Sequence, residues 1–251
     1  MGFHQFSDKE VLEKIEYYYT RFHLEEKFSK NMKSEMRLHC FPKGSAICKL
    51  DEPLPALMFF VEGKAKVLGT LANGKQLLIA YYEPVQMIGD LEVIRGKNAT
   101  TSMVAVSDCC CLGIPFDRVQ SLLLNDPVFL LCICDELGQK LDRITKNSAI
   151  NMLSPLENRL SSYILAVGTH PANDIRTQAD GLVFSENLTY TAELLGTSFR
   201  HLHRTLGHLC DLSILKKDKT GYRVVDGSAL MTLSAGKYSS LPDARSAGII
   251  K

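Results

Sequence analysis

Length, composition and charge set the first limits on what this chain does. Its 251 residues, 45% hydrophobic and 23% charged, suffice for two modest globular domains. The 29 basic and 28 acidic residues leave a formal charge of +1, so any affinity for nucleic acid must come from a local basic patch. No apolar run has a membrane span or a signal peptide's pattern, so we expect a cytoplasmic protein with no membrane partner.

In the first half of the chain, the pattern of apolar, charged and turn-forming residues changes near residue 37. Residues 1–36 include a charged segment with apolar residues at helical spacing, which predicts one or two surface helices leading into the first domain. Over 37–125, short apolar runs alternate with turn residues, as expected for an antiparallel β-roll that acts as a sensor domain. Asn73-Gly74 predicts a tight type I′ hairpin, and Gly44, Gly63 and Gly89 fall at other strand junctions.

A long helix is predicted over residues 126–153. Asp126 is a suitable N-cap and Pro127 a suitable first helical residue. Polar residues flank an apolar seam of alternating four- and three-residue steps; the flanks include Lys140 and Arg143. This narrow seam favours a parallel homodimer, and the alternative is packing on the chain's own roll. The predicted dimerisation residues are Leu130, Cys134, Leu137, Leu141, Ile144 and Ser148.

Residues 154–232 predict a winged helix-turn-helix. Leu188-Thr189 offers a helix N-cap, Gly196 suits a tight bend, and a second helix begins at Thr197-Ser198. The second helix has an apolar side and a basic side; the apolar side carries Leu202, Leu206 and Leu209, and the basic side carries Arg200, His203, Arg204 and Gly207. Two short strands around the Lys216–Gly221 segment predict a wing. A solvated basic hairpin without a DNA role is the alternative.

The order of these elements and several motifs resemble the CRP/FNR superfamily of bacterial transcription regulators over residues 37–230. The motifs are "FPKGSAI", "LMFFVEGKAKV", "MIGDLEV" and "GTSFRHLHRTL", and the last is similar to the YeiL-like branch. The resemblance implies an α+β fold: an N-terminal antiparallel β-roll of the cyclic-nucleotide-binding type, a long dimerisation helix and a C-terminal winged helix-turn-helix. It also implies that the protein regulates transcription as a homodimer.

The resemblance implies double-stranded DNA as the partner, with a near-palindromic operator and half-sites about one helical turn apart. RNA polymerase is a further expected partner if the regulator is an activator. Where well-known members carry an Arg-Glu pair early in the recognition helix, this chain has Phe199-Arg200, so the operator should differ. The expected DNA-binding residues are Thr189, Ser198, Phe199, Arg200, His203, Arg204, Lys216, Lys217 and Lys219. For Phe199, packing inside the domain is the alternative to contact with a thymine methyl group.

The effector pocket implied by the resemblance departs from the family pattern. The family's phosphate-binding cassette begins with Gly-Glu-Leu and is completed by an Arg-Ser pair. The corresponding residues here are Gly89, Asp90 and Leu91, then Ala99 and Thr100, with Arg95 in the adjacent loop. The missing arginine would leave a buried phosphate poorly compensated. We therefore expect an unknown small-molecule effector, or none, and not cyclic AMP or cyclic GMP.

The eight cysteines raise the alternative of a redox-sensing regulator. Some family members hold an iron–sulfur cluster on N-terminal cysteines, but residues 1–39 contain no cysteine. An alternative four-cysteine site would combine Cys109 or Cys111, Cys132 and Cys134, with Cys40 or Cys48, none at C-x-x-C spacing. Buried cysteines that act as small apolar residues are the favoured interpretation, so no cofactor is expected.

Metal binding and catalysis find little support in the sequence. His201, His203 and His208 lack ligand spacing on one helix face, so no metal is expected there. No phosphate-cradling loop, nucleophile elbow or zinc-protease helix appears, so we expect no enzymatic activity. A further alternative is a ligand-binding dimer whose C-terminal domain contacts protein. Residues 233–251 are small and polar and predict a flexible tail.

Overall fold

The computed structural model describes residues 6–170, 179–219 and 221–234. Over these residues the chain divides into two compact units. The first comprises residues 6–70 and 80–144, and the second comprises residues 71–79, 145–170, 179–219 and 221–234. The predicted flexible tail lies outside the described residues from 235 onward. Among the described residues, no helix is long and apolar enough to cross a membrane.

Two four-stranded sheets are built from short strands separated by turns. The strands are β1 (Arg37–Phe41), β2 (Ala46–Cys48), β3 (Ala56–Glu62), β4 (Ala65–Thr70), β5 (Gln76–Tyr82), β6 (Gln86–Ile88), β7 (Ser102–Ala105) and β8 (Cys109–Pro115). One sheet has the order β1-β8-β3-β6, and the other has the order β2-β7-β4-β5. The pairs that β8 forms with β1 and β3 are antiparallel, as are β3–β6, β2–β7 and β4–β7. The predicted antiparallel domain is confirmed.

The turn between β4 and β5 differs from the predicted type I′ hairpin. Gly74 has φ +81°, but Asn73 is not among the residues with positive φ, and a type I′ turn needs positive φ at both. The N–H of Gly74 donates to the Leu71 carbonyl at 2.9 Å, and the N–H of Leu71 donates to the Lys75 carbonyl at 2.8 Å. The connection is therefore longer than predicted, with the glycine alone in the left-handed region.

The N-terminal segment contributes to the core of the first unit, and its prediction as surface helices alone was wrong. Helix α1 (Asp8–Arg21) is capped by Ser7, whose side chain accepts from the Glu10 N–H. Its inner side buries Ile15, Tyr18 and Tyr19. After it, Leu24, Phe28, Met32 and Met36 pack with strand residues in the same core cluster. Leu24 lies in a short 3₁₀ turn and the other three residues flank such turns, so their spacing has no helical periodicity and the sequence pattern concealed their burial.

Helices α2 (Asp90–Arg95) and α3 (Phe116–Leu122) precede the long helix α4 (Pro127–Leu153). The predicted start of α4 is confirmed, because the Asp126 carboxylate accepts from the N–H groups of Val128 at 2.9 Å and Phe129 at 3.3 Å. The same carboxylate accepts from the Ser29 N–H at 2.7 Å and hydroxyl at 2.6 Å. Asp126 therefore joins the start of α4 to the N-terminal segment.

The inner side of α4 is only partly apolar. Phe129 and Ile133 are buried in the core cluster, and Glu136, Lys140 and Arg143 continue the same side about one, two and three turns further on. Glu136 and Arg143 are buried, and the Lys140 side chain is 17% exposed. Lys140 and Arg143, which flank the predicted seam, thus face the first unit, where Lys140 pairs with Asp90 and both cations lie over the Tyr82 ring, as described below.

The predicted dimerisation seam lies on another side of α4. Leu141 is 67% exposed and Ile144 is 45% exposed, and Cys134 and Ser148 are exposed as well. Leu130 and Leu137 are half-buried, and Leu137 packs against the core cluster of the first unit. The N-terminal part of the seam, up to Leu137, thus contacts its own domain. The part that follows presents the apolar side chains of Leu141 and Ile144 on the surface of the chain.

The second unit contains a compact set of helices and a small sheet. Its helices are α5 (Leu156–Val167), α6 (Leu188–Leu194), α7 (Phe199–Asp211) and α8 (Gly227–Leu233). Its strands are β9 (Val183–Phe184), β10 (Leu215–Lys217) and β11 (Tyr222–Val224), in the order β10-β11-β9. Tyr163 of α5 and Phe184 of β9 meet edge to face with ring centroids 6.0 Å apart. This core supports the two helices that follow β9.

Candidate nucleic-acid interface and sensor site

The bend between α6 and α7 is fixed by caps and one glycine. Asn187 is the N-cap of α6, since its side chain accepts from the Thr189 and Tyr190 N–H groups, and the predicted cap at Leu188-Thr189 was wrong by one or two residues. Gly196 has φ +61°, the left-handed conformation expected of it. Ser198 is the N-cap of α7 and accepts from the His201 N–H at 3.2 Å. Together these local bonds hold a helix-turn-helix.

Helix α7 has the two sides that its sequence predicts. Leu202, Leu206 and Leu209 are fully buried, and Ala192 of α6 is 3% exposed where the two helices approach. Arg200, His203 and Arg204 are exposed on the other side. Apolar burial therefore holds the helix in the domain, while its basic side chains remain available to a partner.

Phe199 lies at the exposed N-terminal end of α7. Its side chain is 50% exposed, and its ring lies beside the imidazole of His203 with centroids 6.1 Å apart. The alternative prediction, that Phe199 packs inside the domain, is wrong, because half of its side chain is exposed. An aromatic ring next to a basic side is suited to apolar contact with a base edge or methyl group.

The three histidines of α7 have separate neighbours. His201 Nδ1 lies 3.3 Å from the Thr197 hydroxyl, and His208 Nε2 lies 3.7 Å from the Glu157 carboxylate. His203 contacts Phe199, as described above. Within the described ranges, no group of three or more His, Cys, Asp or Glu side chains is arranged to hold a metal ion.

The wing follows α7 as an antiparallel pair. Lys216 of β10 lies opposite Arg223 of β11, and the two strands are joined through residues 218–221. The Asp218 carboxylate accepts from the Gly221 N–H at 3.0 Å and lies 3.5 Å from the Arg223 guanidinium. Lys216, Lys217 and Lys219 are exposed. All nine predicted DNA-binding residues are thus at the surface of the second unit, from Thr189 at the start of α6 to Lys219 in the wing.

The predicted effector cassette forms the start of α2. Gly89 has φ +94°, and a Cβ atom there would lie 3.3 Å from the Ala56 carbonyl and from the Phe116 ring, so glycine is needed for conformation and for space. Asp90 is 2% exposed and Leu91 is half-buried. The Lys140 ammonium lies 2.6 Å from the Asp90 carboxylate and 2.7 Å from the Met87 carbonyl. The buried Asp90 carboxylate is therefore paired with Lys140 of α4.

Lys140 belongs to a buried polar cluster that the sequence did not predict. Its ammonium and the Arg143 guanidinium each lie 5.6 Å from the centre of the Tyr82 ring. Burial by itself would lower the pKa of Lys140, but Tyr82 and Asp90 outweigh it and raise that pKa. Burial also raises the pKa of Glu136, against the attraction of Lys27, whose ammonium lies 3.7 Å away. The sequence held one signal for this cluster: the charged residues follow Phe129 and Ile133 at helical spacing, on the buried side of α4.

The rest of the cassette has no cationic side chain directed at a phosphate. Ala99 is 2% exposed, and its N–H donates to the Glu52 carbonyl at 3.0 Å. Arg95 is exposed at the end of α2. The Thr100 N–H and hydroxyl donate to the Glu92 carboxylate at 3.0 and 3.2 Å. A carboxylate of the chain itself thus takes the donors that an anionic ligand would need at this position, a feature that sequence comparison with the cassette missed.

The cysteines are not arranged as the alternative four-cysteine site would require. Cys40 meets Cys110, which is not a member of that alternative site, with the two Sγ atoms 2.6 Å apart. Cys109 instead donates to the Ser107 and Lys64 carbonyls at 3.1 and 3.2 Å. Cys132 lies 3.7 Å from the Lys27 ammonium, and Cys134 is exposed. Strand alternation places Cys110 on the side away from Cys109 and Cys111, so these thiols do not converge.

Comparison with known proteins agrees with this architecture. A model of the cyclic nucleotide-binding domain matches residues 38–126. Regulatory protein YeiL of Escherichia coli O157:H7 is 30% identical over 219 residues, 85% of this chain and 95% of YeiL. The cAMP-activated global transcriptional regulator CRP of Salmonella typhimurium is 21% identical over 184 residues, 72% of this chain and 86% of that protein. The crystal structure of a CRP-family transcriptional regulator from Thermus thermophilus aligns with TM-score 0.63 and 15% identity, over 81% of this chain and all of that one.

A β-domain of the cyclic-nucleotide-binding type, a long helix and a winged helix-turn-helix define a class of transcription regulator. The similarity to YeiL extends over both units and nearly the whole of that relative. The chain belongs to the CRP/FNR family of transcription regulators, as its sequence motifs predicted. Members of this family bind DNA and typically act as dimers.

Proposed function

We propose that this protein is a cytoplasmic, non-enzymatic, dimeric transcription regulator that binds a specific, near-palindromic DNA site through α7. The observation that carries the proposal is the two-sided recognition helix, with three fully buried leucines on one side and exposed Arg200, His203 and Arg204 on the other. The exposed lysines of the wing extend the positive surface in an otherwise near-neutral chain. Such a surface favours phosphate contacts beside base contacts.

The test is a selection of bound duplexes from a random pool, followed by affinity measurements on the selected site and on unrelated DNA. We expect Arg204→Ala to weaken binding to both and to reduce the salt dependence by about one phosphate contact for each recognition helix. Arg200→Ala should mainly weaken the selected site, by about 1–3 kcal/mol, if its guanidinium contacts a base edge. Arg21→Ala, an exposed arginine of α1, is the control and should change neither. Binding that is weak and indifferent to salt and to both variants contradicts the proposal.

The dimer proposal rests on the exposed part of the α4 seam. Ile144 is 45% exposed and Leu141 is 67% exposed, on a helix whose other side packs against the first unit. Association through such side chains would remove them from water, and the paired helices would set the spacing of the two recognition helices. We expect Ile144→Lys to shift the protein from dimer to monomer in light scattering, whereas Ser148→Lys should have the smaller effect. A wild-type monomer at DNA-binding concentrations would contradict the dimer.

We also propose that the effector, where one acts, is not a cyclic nucleotide. A phosphate placed near the Thr100 donors would lie close to the Glu92 carboxylate that already accepts from them. Two unit charges of like sign 4 Å apart repel by about 4 kcal/mol at an effective dielectric constant near 20. We expect millimolar cyclic AMP or cyclic GMP to leave the Tm unchanged, with the cAMP-activated CRP of Salmonella typhimurium as the positive control. A saturable upward shift in Tm would contradict this part of the proposal.

A further inference from the structure

Two thiols on neighbouring strands of the first unit form a close pair. Cys40 of β1 and Cys110 of β8 are directly opposite in the antiparallel register, and their Sγ atoms are 2.6 Å apart. Directly opposed residues of antiparallel strands have Cα atoms about 4.5–5.5 Å apart, and disulfides need Cα separations of about 4.4–6.8 Å. The two residues can therefore be linked without moving either strand.

We propose that Cys40 and Cys110 are an oxidation site, at which a hydroperoxide converts the two thiols into a disulfide that cellular dithiols reverse. The site is distinct from a metal-bound cysteine cluster, because within the part of the chain that the structure describes no third ligand joins these thiols. It does not depend on the proposed DNA-binding activity, since both residues lie in the first unit.

The surroundings give the two thiols different roles. Cys40 is half-buried and can be reached by a small oxidant, whereas Cys110 is 8% exposed. The hydrogen bond from the Cys110 thiol lowers the pKa of Cys40, helped by the charge of Lys14, although burial and Glu62 oppose it. Donating that bond raises the pKa of Cys110. Cys40 is thus the thiolate that reacts first, and Cys110 is held against it as the resolving thiol.

Two charged side chains, Lys14 and Glu62, lie near this thiol pair. Glu62 accepts a hydrogen bond from the Tyr18 hydroxyl, and the Lys14 ammonium lies 3.7 Å from the same carboxylate. Lys14 and Tyr18 belong to α1, which packs on this sheet through Ile15, Tyr18 and Tyr19 in the cluster that also contains Cys110. Helix α1 therefore brings the Lys14 ammonium near Cys40, the more accessible member of the thiol pair.

Four other thiols are less suited to the reaction, those of Cys48, Cys109, Cys111 and Cys132. Burial raises the pKa of Cys48 to about 11, and its thiol donates to the Thr101 carbonyl at 3.6 Å. Burial also raises the pKa of Cys109, of Cys111 and of Cys132. Cys48 is a suitable internal control, because it is half-buried like Cys40 but has a raised pKa.

The chemistry is a two-electron oxidation. The Cys40 thiolate attacks one peroxide oxygen, the O–O bond breaks, and Cys40 becomes a sulfenic acid while the other oxygen leaves as water. The Cys110 sulfur then attacks the Cys40 sulfur, the S–O bond breaks, and a second water leaves. In total the two thiols lose two electrons and two protons, and hydrogen peroxide gains them.

The test treats fully reduced, full-length protein with one equivalent of hydrogen peroxide, alkylates the remaining thiols and maps the peptides without reductant. We expect a linked pair of peptides that contain Cys40 and Cys110, lighter than the separate peptides by two hydrogen atoms and lost on treatment with dithiothreitol. Cys48 should be recovered alkylated. Recovery of Cys40 as the alkylated thiol while other cysteines are oxidised would overturn the proposal, as would a linkage of Cys40 to any other residue.

Two variants separate the steps. In Cys110→Ser, Cys40 should stop at the sulfenic acid, which dimedone traps, and the linked peptides should be lost. In Cys48→Ser, the linkage should form at the wild-type rate. Dimedone labelling confined to other cysteines in Cys110→Ser would contradict the assignment of Cys40 as the reacting thiol. The wild-type peptide map decides the main question even where a variant folds poorly.

Discussion

Replacing Lys140 by methionine should destabilise the first unit far more than the loss of one surface lysine. The ammonium lies 2.6 Å from Asp90, which is 2% exposed, and 2.7 Å from the Met87 carbonyl. Methionine keeps the length of the chain but leaves the Asp90 carboxylate buried without its cation. Removing one partner of a buried ion pair costs about 3–5 kcal/mol. That is a large part of the roughly 5–15 kcal/mol that stabilises a typical domain.

The assay is urea unfolding at fixed protein concentration, since association contributes to the apparent stability of a dimer. Lys97→Met, an exposed lysine near the end of α2, is the control and should change the free energy of unfolding by no more than about 0.5 kcal/mol. The double variant Asp90→Asn/Lys140→Met should recover part of the loss, because no charge is then left buried. A loss below about 1 kcal/mol in Lys140→Met would refute the view that Lys140 compensates Asp90.

Three other changes test the local structure in the same unfolding assay. Asp126→Ala should cost about 1–2 kcal/mol, because it removes the N-cap of α4 together with the bonds from Ser29; a cost within error would contradict the capping role. Gly196→Ala should cost about 1–2 kcal/mol because alanine resists φ +61°, whereas Gly207→Ala, exposed within α7, should be neutral or stabilising; equal effects would argue against the bend. Burial raises the pKa of Glu136, so the stability of the wild type falls as pH rises from the unfolded-state pKa through the folded-state pKa of this carboxyl. The free energy of unfolding of Glu136→Gln relative to wild type should therefore increase as pH rises above 4.5, the ordinary pKa of a glutamate, and a constant difference would contradict it.

Two features that depend on neighbours in sequence were predicted well. Asp126-Pro127 marked the start of α4 because an N-cap and its N–H donors lie within three residues of each other. The two sides of α7 followed from helical spacing, since Leu202 and Leu206 recur one turn apart while Arg200 and Arg204 recur on another side. These patterns need no knowledge of tertiary structure.

Features that depend on distant partners were missed. Lys140 looks like a solvated charge in its own helix, because Asp90, its partner, lies 50 residues earlier in the chain. The Cys40–Cys110 pair spans 70 residues and depends on the register of β1 on β8, which a run of three cysteines does not encode. In the cassette, the absence of an arginine at Ala99 was visible in the sequence, but the occupation of the Thr100 donors by Glu92 required the fold of α2.

The arrangement of α7 separates the residues that stabilise the domain from those that we propose contact DNA. Leu202, Leu206 and Leu209 lose all contact with water, so replacing any one by alanine should cost about 2–5 kcal/mol of stability and remove DNA binding only through unfolding. Arg200 and Arg204 are exposed, so their replacement leaves the core intact and should change DNA binding at unchanged Tm. Measuring Tm and DNA affinity on the same preparations of these variants therefore distinguishes a DNA-binding surface from a side of the helix that is only solvated. Phe199 and Arg200 lie at the exposed end of α7. A change of either residue should therefore alter which DNA site is preferred while the domain stays folded.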